Sequence, residues 1–120
     1  MSRILTLTML GAALIFAGTS ARAADTTSAD TAKGHEVFNA WCQPCHGKVG
    51  PGTYMLEKRL DKEQSRIDQR TDLTGDYIRY VVRNGLNGML PFRQTEVTDG
   101  ELKDVIDYLT RNNDKKGGAG

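Results

Sequence analysis

Apolar positions gather first in Ile4–Gly18, a run interrupted only by Thr6 and Thr8. Further on they become periodic. Phe38, Trp41, Cys42 and Cys45 stand at i, i+3, i+4 and i+7, which predicts one face of a helix starting near Thr31 and ending at about Gln43. Gly34 lies one turn before Phe38 on that face. A glycine inside a helix costs about 1 kcal/mol relative to alanine, and close approach of another helix would offset it. Ile78, Val81, Val82 and Gly85 repeat the same spacing after Thr74, a good N-cap, and Gly85 stands where a left-handed glycine ends a helix. Leu102, Val105, Ile106 and Leu109 make a third stripe behind Thr98-Asp99-Gly100-Glu101, a capping-box pattern. This last helix is expected to cross the first, setting Gly34 and Phe38 against Ile106, Tyr108 or Leu109.

Between the stripes the pattern fades. Tyr54–Leu60 suggests a short helix with Met55, Leu56 and Leu60 inward. Glu57–Asp72 is dense in charge, with Leu60 and Ile67 its apolar members, and reads as an exposed connection with one helical turn. Three principal helices and no strand pattern predict an all-α domain over residues 31–111. Residues 24–30 are small and polar and read as a flexible leader. Residues 112–120 are polar and glycine-rich and read as a disordered tail.

Residues 1–23 read as a secretory signal: Arg3, the apolar run, then Ala21-Arg22-Ala23 as an A-x-A cleavage site. The competing reading is a membrane anchor. The run of about 15 residues is shorter than the ~20 needed to span a bilayer, so cleavage near Ala23 and export to the periplasm are expected, with no membrane insertion afterwards. Arg3 and Arg22 fall in this segment. The remaining 14 basic and 15 acidic residues leave the rest of the chain at −1, a balance that points neither to nucleic acid nor to an anionic membrane.

The strongest chemical pattern is Cys42-Gln43-Pro44-Cys45-His46. Two thiols three positions apart with a histidine directly after them are the attachment signature of a c-type haem. Thioethers a helical turn apart can reach both vinyl groups of one porphyrin, and the next residue then carries its imidazole over the porphyrin face. Cys42 and Cys45 are the only cysteines. A thioredoxin-like pair would want a βαβ context, and zinc would want two more ligands, whereas His35 is the only other histidine. His35 itself reads as a surface side chain. Gly47–Thr53 is a loop placed to supply a carbonyl for the second ring nitrogen of His46, with Pro51 the candidate acceptor.

Met89 sits in an irregular loop, Asn84-Gly85-Leu86-Asn87-Gly88-Met89-Leu90-Pro91-Phe92. A thioether is a soft ligand suited to the sixth position of a His-ligated haem. Against this, most methionines are core residues, and Met55 is a rival ligand. Trp41, Leu86 and Phe92 are the further candidates for the haem pocket, and Leu86, Leu90 and Phe92 for the rim on which a partner docks. An open iron that binds a gas or reduces peroxide is the competing class, with no distal histidine or arginine constellation to support it.

With these residues on the page, the chain resembles class I cytochromes c in Gly34 and Phe38, the Cys42–His46 motif, the Met89-Leu90-Pro91-Phe92 loop and Tyr108 in the final helix. The resemblance implies three principal helices wrapped on one covalently attached haem c, His46 and Met89 as axial iron ligands, and one-electron transfer without a bound substrate. Within that class, Thr71–Thr74, Val81–Gly85 and Met89–Arg93 look like the small cytochrome subunit of p-cresol methylhydroxylase-type flavocytochromes. That finer likeness implies an FAD-containing hydroxylase acting on alkylphenols as electron donor, and a downstream acceptor. The alternatives are a general soluble shuttle to a respiratory oxidase and a membrane-tethered carrier.

Overall fold

The structure, a computed structural model, describes residues 23–118. Apart from Ala23, the secretory signal lies outside the described residues. Helix α1 spans Ala23–Val37 and passes through a π-helical segment, Phe38–Cys42, into α2, Gln43–His46. Three helices follow: α3 (Pro51–Glu57), α4 (Lys62–Ser65) and α5 (Gly75–Asn84). Then come α6 (Asp99–Thr110) and a 3₁₀ segment, Asn113–Gly118. Among the described residues there is no strand, only an antiparallel bridge between Leu86 and Met89.

Helix α6 is the centre of the molecule. Leu102, Val105, Ile106, Tyr108 and Leu109 are all buried along it. Its start is set by a complete capping box. Thr98 accepts the Glu101 amide, and the Glu101 carboxylate accepts the Thr98 amide at 2.8 Å. Helix α1 crosses it at Gly34. A Cβ there would overlap the Asp104 carbonyl oxygen and stand 2.6 Å from the Tyr108 Cβ, so the glycine is the condition of the crossing. Phe38 then packs its ring on Tyr108, centroids 5.5 Å apart. His35 is exposed, as expected, and leans on the same ring from outside, at 5.1 Å. Helix α5 joins from the other side through Ile78 and Val82. Thr74 caps it, accepting from the Tyr77 amide at 3.3 Å.

Four expectations are corrected. The first helix begins at Ala23, so residues 24–30 are helical. A lack of apolar side chains does not by itself end a helix, since each added residue gains a backbone hydrogen bond. The same helix runs past Gln43 to His46. Pro44 has no amide to donate, and its ring would clash with the carbonyl four residues back. The π turn just before it, with the Gln43 amide bonded to the Phe38 carbonyl, absorbs that conflict. In the short third helix, Met55 is exposed and does not face inward, because α3 turns Thr53 to the interior instead. Finally, the tail is tied down at its start. Asn112 is buried and donates to the Asp68 carbonyl at 3.2 Å, and Asn113 donates to the Leu73 carbonyl at 2.7 Å. The charged connection is thereby held onto the core, where Ile67 and Leu73 pack. It also pairs its own charges, Arg66 with Asp68 and Arg70 with Asp72.

Candidate haem-binding site

The two thiols lie on consecutive pieces of one helical run. Cys42 closes the π segment, half-buried against the core, and Cys45 is exposed in α2. Burial, and secondarily the neighbouring Cys45, pushes the Cys42 thiol up to about 11, so Cys42 stands as a thiol rather than as a reactive thiolate. His46 is the last residue of α2. Burial lowers its pKa, which favours the neutral imidazole, the form that ligates metal. Its Nδ1 is buried and has no hydrogen-bond partner.

The loop after His46 is closed by contacts that differ from the expected one. The Gly47 amide bonds back to Gln43 at 2.8 Å, and the Thr53 hydroxyl donates to the Gly47 carbonyl at 2.7 Å. Gly50 lies against the Cys45 backbone so tightly that a Cβ would overlap the Cys45 carbonyl oxygen. Pro51 does not accept from His46. It occupies the first turn of α3, where its carbonyl belongs to the helix ladder. Thr53, 2% exposed, is the residue that sequence reasoning missed. Nothing singles it out in the sequence beyond its being the lone hydroxyl of Gly47–Thr53.

The methionine loop is held at both ends. Gly85 terminates α5 with φ +75°, and a Cβ there would stand 2.6 Å from the Met89 carbonyl oxygen. Its ψ of 170° takes the chain into an extended region open to glycine rather than the left-handed helical one expected. Leu86 and Met89 exchange both backbone hydrogen bonds, at 3.1 and 2.9 Å, across a tight turn with Asn87 at φ +53°. At the far end the Phe92 amide bonds the Val82 carbonyl at 2.8 Å. The Phe92 ring meets Trp41 edge-on, centroids 5.9 Å apart. This contact brings the loop to the helix that carries the thiols, and Cys42, Met89 and Phe92 all pack against one core. Met55, the rival ligand, is 54% exposed on α3. Leu86 and Leu90 lie at the surface, and Trp41, which meets the same loop at Phe92, is exposed too.

Among the described residues no group of three or more His, Cys, Asp or Glu could hold a metal ion, which leaves no protein-only zinc site for these thiols. Two thiols, an imidazole with an unused ring nitrogen and a nearby thioether do fit a covalently held haem. Residues 29–109 match the family model of cytochrome c oxidase, cbb3-type, subunit III. The chain belongs to the class I c-type cytochromes. It is similar to cytochrome c6 of Cyanidioschyzon merolae, 34% identical over 82 residues, 68% of this chain and 74% of that one. Cytochrome c6 of Synechococcus elongatus is 36% identical over 81 residues, covering 68% and 88%. The chloroplastic cytochrome c6 of Chlamydomonas reinhardtii is 35% identical over 89 residues, covering 72% and 57%. No solved structure matches the chain. The cytochrome binds one covalent haem c and is an electron carrier, not an enzyme. No helix among the described residues is long and apolar enough to cross a membrane.

Proposed function

We propose that this cytochrome is an exported, diffusible shuttle in the periplasm, carrying one electron at a time between redox proteins. Cys42 and Cys45 take the thioether bonds, and His46 and Met89 are the axial ligands. The contact between Phe92 and Trp41 carries this reading, because it sets the Met89 loop against the attachment helix. The haem supplies the ferric–ferrous couple. His46 and Met89 would hold its iron with a half-buried neutral imidazole and a neutral thioether, a ligand pair that would favour ferrous iron and raise the potential. Residues 1–23 support export, and the similarity to cytochromes c6 supports a carrier that meets its partners transiently.

A second reading keeps the same site but makes the protein the electron-accepting subunit of an alkylphenol-oxidising flavoprotein. The observation in its favour is the exposed Leu86 and Leu90 on the loop that meets Trp41, an apolar rim of the kind a lasting interface covers. Co-purification with a flavin-containing protein would move this reading forward.

The optical spectrum of the exported protein, ferric and then dithionite-reduced, tests the ligand set. A low-spin c-type spectrum with the weak red-region band of methionine-ligated ferric haem is expected. A high-spin or bis-histidine-like spectrum removes Met89 from the iron.

A further inference from the structure

We propose that Arg83 is the positioning residue for the Met89 ligand, its guanidinium fork latching the methionine loop to the start of α6. The inference rests on Met89 as axial ligand. Arg83 lies in the last turn of α5, with its side chain only 19% exposed. One terminal nitrogen donates to the Phe92 carbonyl at 3.1 Å, and the other donates to the Asp99 carboxylate at 2.7 Å. The second Asp99 oxygen accepts from the Gln94 side chain at 2.9 Å, further along the same loop.

The Phe92 peptide is therefore held on both sides, its amide by Val82 and its carbonyl by Arg83. Met89 stands three residues before it, and the bridge to Leu86 fixes the other end of that span. Backbone bonds fix the loop to α5 alone. Two side chains also tie it to α6 at Asp99, Gln94 by one neutral hydrogen bond and Arg83 by a charged contact that reaches the Phe92 carbonyl as well. Exposed ion pairs contribute little. Here Asp99 is exposed, at 63%, but the Arg83 side chain is mostly covered and forks between two acceptors, the geometry in which arginine and lysine are not interchangeable. Its loss leaves α5, α6 and their core in place while freeing the loop to swing Met89 away.

The experiment uses the exported holoprotein and its Arg83→Gln, Arg83→Lys and Met89→Ala variants. Ferric protein is titrated with imidazole, which must displace the thioether to bind iron. The red-region band reports displacement and far-UV circular dichroism reports the helices. In Arg83→Gln, apparent imidazole affinity is expected to rise about tenfold, the loss of one charged hydrogen bond, with helicity unchanged. Arg83→Lys keeps the charge but not the fork, and is expected to show a smaller rise. A lower melting temperature with wild-type imidazole affinity in Arg83→Gln would make the residue merely structural and overturn the proposal. Should Arg83→Gln fail to fold, wild-type affinity in Arg83→Lys overturns it equally. Met89→Ala separates the two failures. If it binds imidazole no more tightly than wild type, Met89 is not the displaced ligand. If it binds far more tightly while both Arg83 variants match wild type, only the latch is wrong.

Discussion

His46 and Met89 differ in what holds them. The histidine ends a helix that the Gly47–Thr53 loop closes against, through the Gly47 amide on Gln43 and the Thr53 hydroxyl on the Gly47 carbonyl. The methionine depends on a loop. Met89→Ala should therefore leave the fold standing and open the sixth coordination site. Ferrous protein should then bind carbon monoxide readily, and a variant that stays six-coordinate and inert to the gas would sink the assignment. The Thr53 hydroxyl acts on the histidine side. It is buried and spends its one proton on the Gly47 carbonyl. Thr53→Val keeps shape and removes that bond, for about 1 kcal/mol, because the carbonyl retains the weaker contact from the Gly50 amide at 3.3 Å. A urea midpoint lowered by that amount, with an unchanged reduced spectrum, is the expected result. No residue pattern pointed to Thr53, since a threonine in a turn has many local uses. Pro51 was the more visible candidate and is the one whose carbonyl the helix had already claimed.

At the scale of elements, what could be read from the chain is what is decided locally. Thr74, and Thr98 with Glu101, cap their helices as their types require, the stripe of α6 is buried as spaced, and that of α5 is buried at Ile78 and Val82. The π segment escaped notice because it settles a conflict between Pro44 and a helix that tertiary packing prolongs. Asn112 and Asn113 escaped because their acceptors lie some forty residues away. Gly34 is a case where the local cost pointed to the distant contact. Gly34→Ala should force α1 off α6 at the Asp104 carbonyl and the Tyr108 side chain, costing about 3 kcal/mol as overpacking does. Thermal melting of the holoprotein would show it. The capping box makes a prediction in pH. Hydrogen bonds from the Thr98 backbone, then its side chain, lower the Glu101 pKa. A depressed folded-state value means that the carboxylate stabilises the fold above its ordinary range, and that this contribution is lost as pH falls through the lowered value. Glu101→Gln, which still accepts the hydrogen bond, should flatten that part of the acid limb of stability against pH. An acid limb identical to wild type would show that the box carries no charge-dependent stability.

At the scale of the molecule, charge and apolar surface divide the work of finding a partner. Residues 24–120 are close to neutral at −1, so no strong net charge draws donors to them, and electrostatic steering should be weak. What the methionine-loop end offers is Leu90, 80% exposed, with Leu86 and the edge of Trp41. Residues so exposed contribute little to folding, so changing them tests docking and not stability. Leu90→Ser should leave the melting temperature and the reduction potential near wild type, because the side chain touches neither core nor ligand. It should lower the second-order rate of electron exchange with a protein partner several-fold, as the loss of one partly buried leucine at a small interface would. Raising ionic strength from about 10 to 200 mM, across which screening of exposed charges changes most, should alter the wild-type rate much less than Leu90→Ser does. A steep salt dependence with an unaffected Leu90→Ser rate would place recognition on a charged patch instead, and the apolar rim would then be no more than the outer wall of the site.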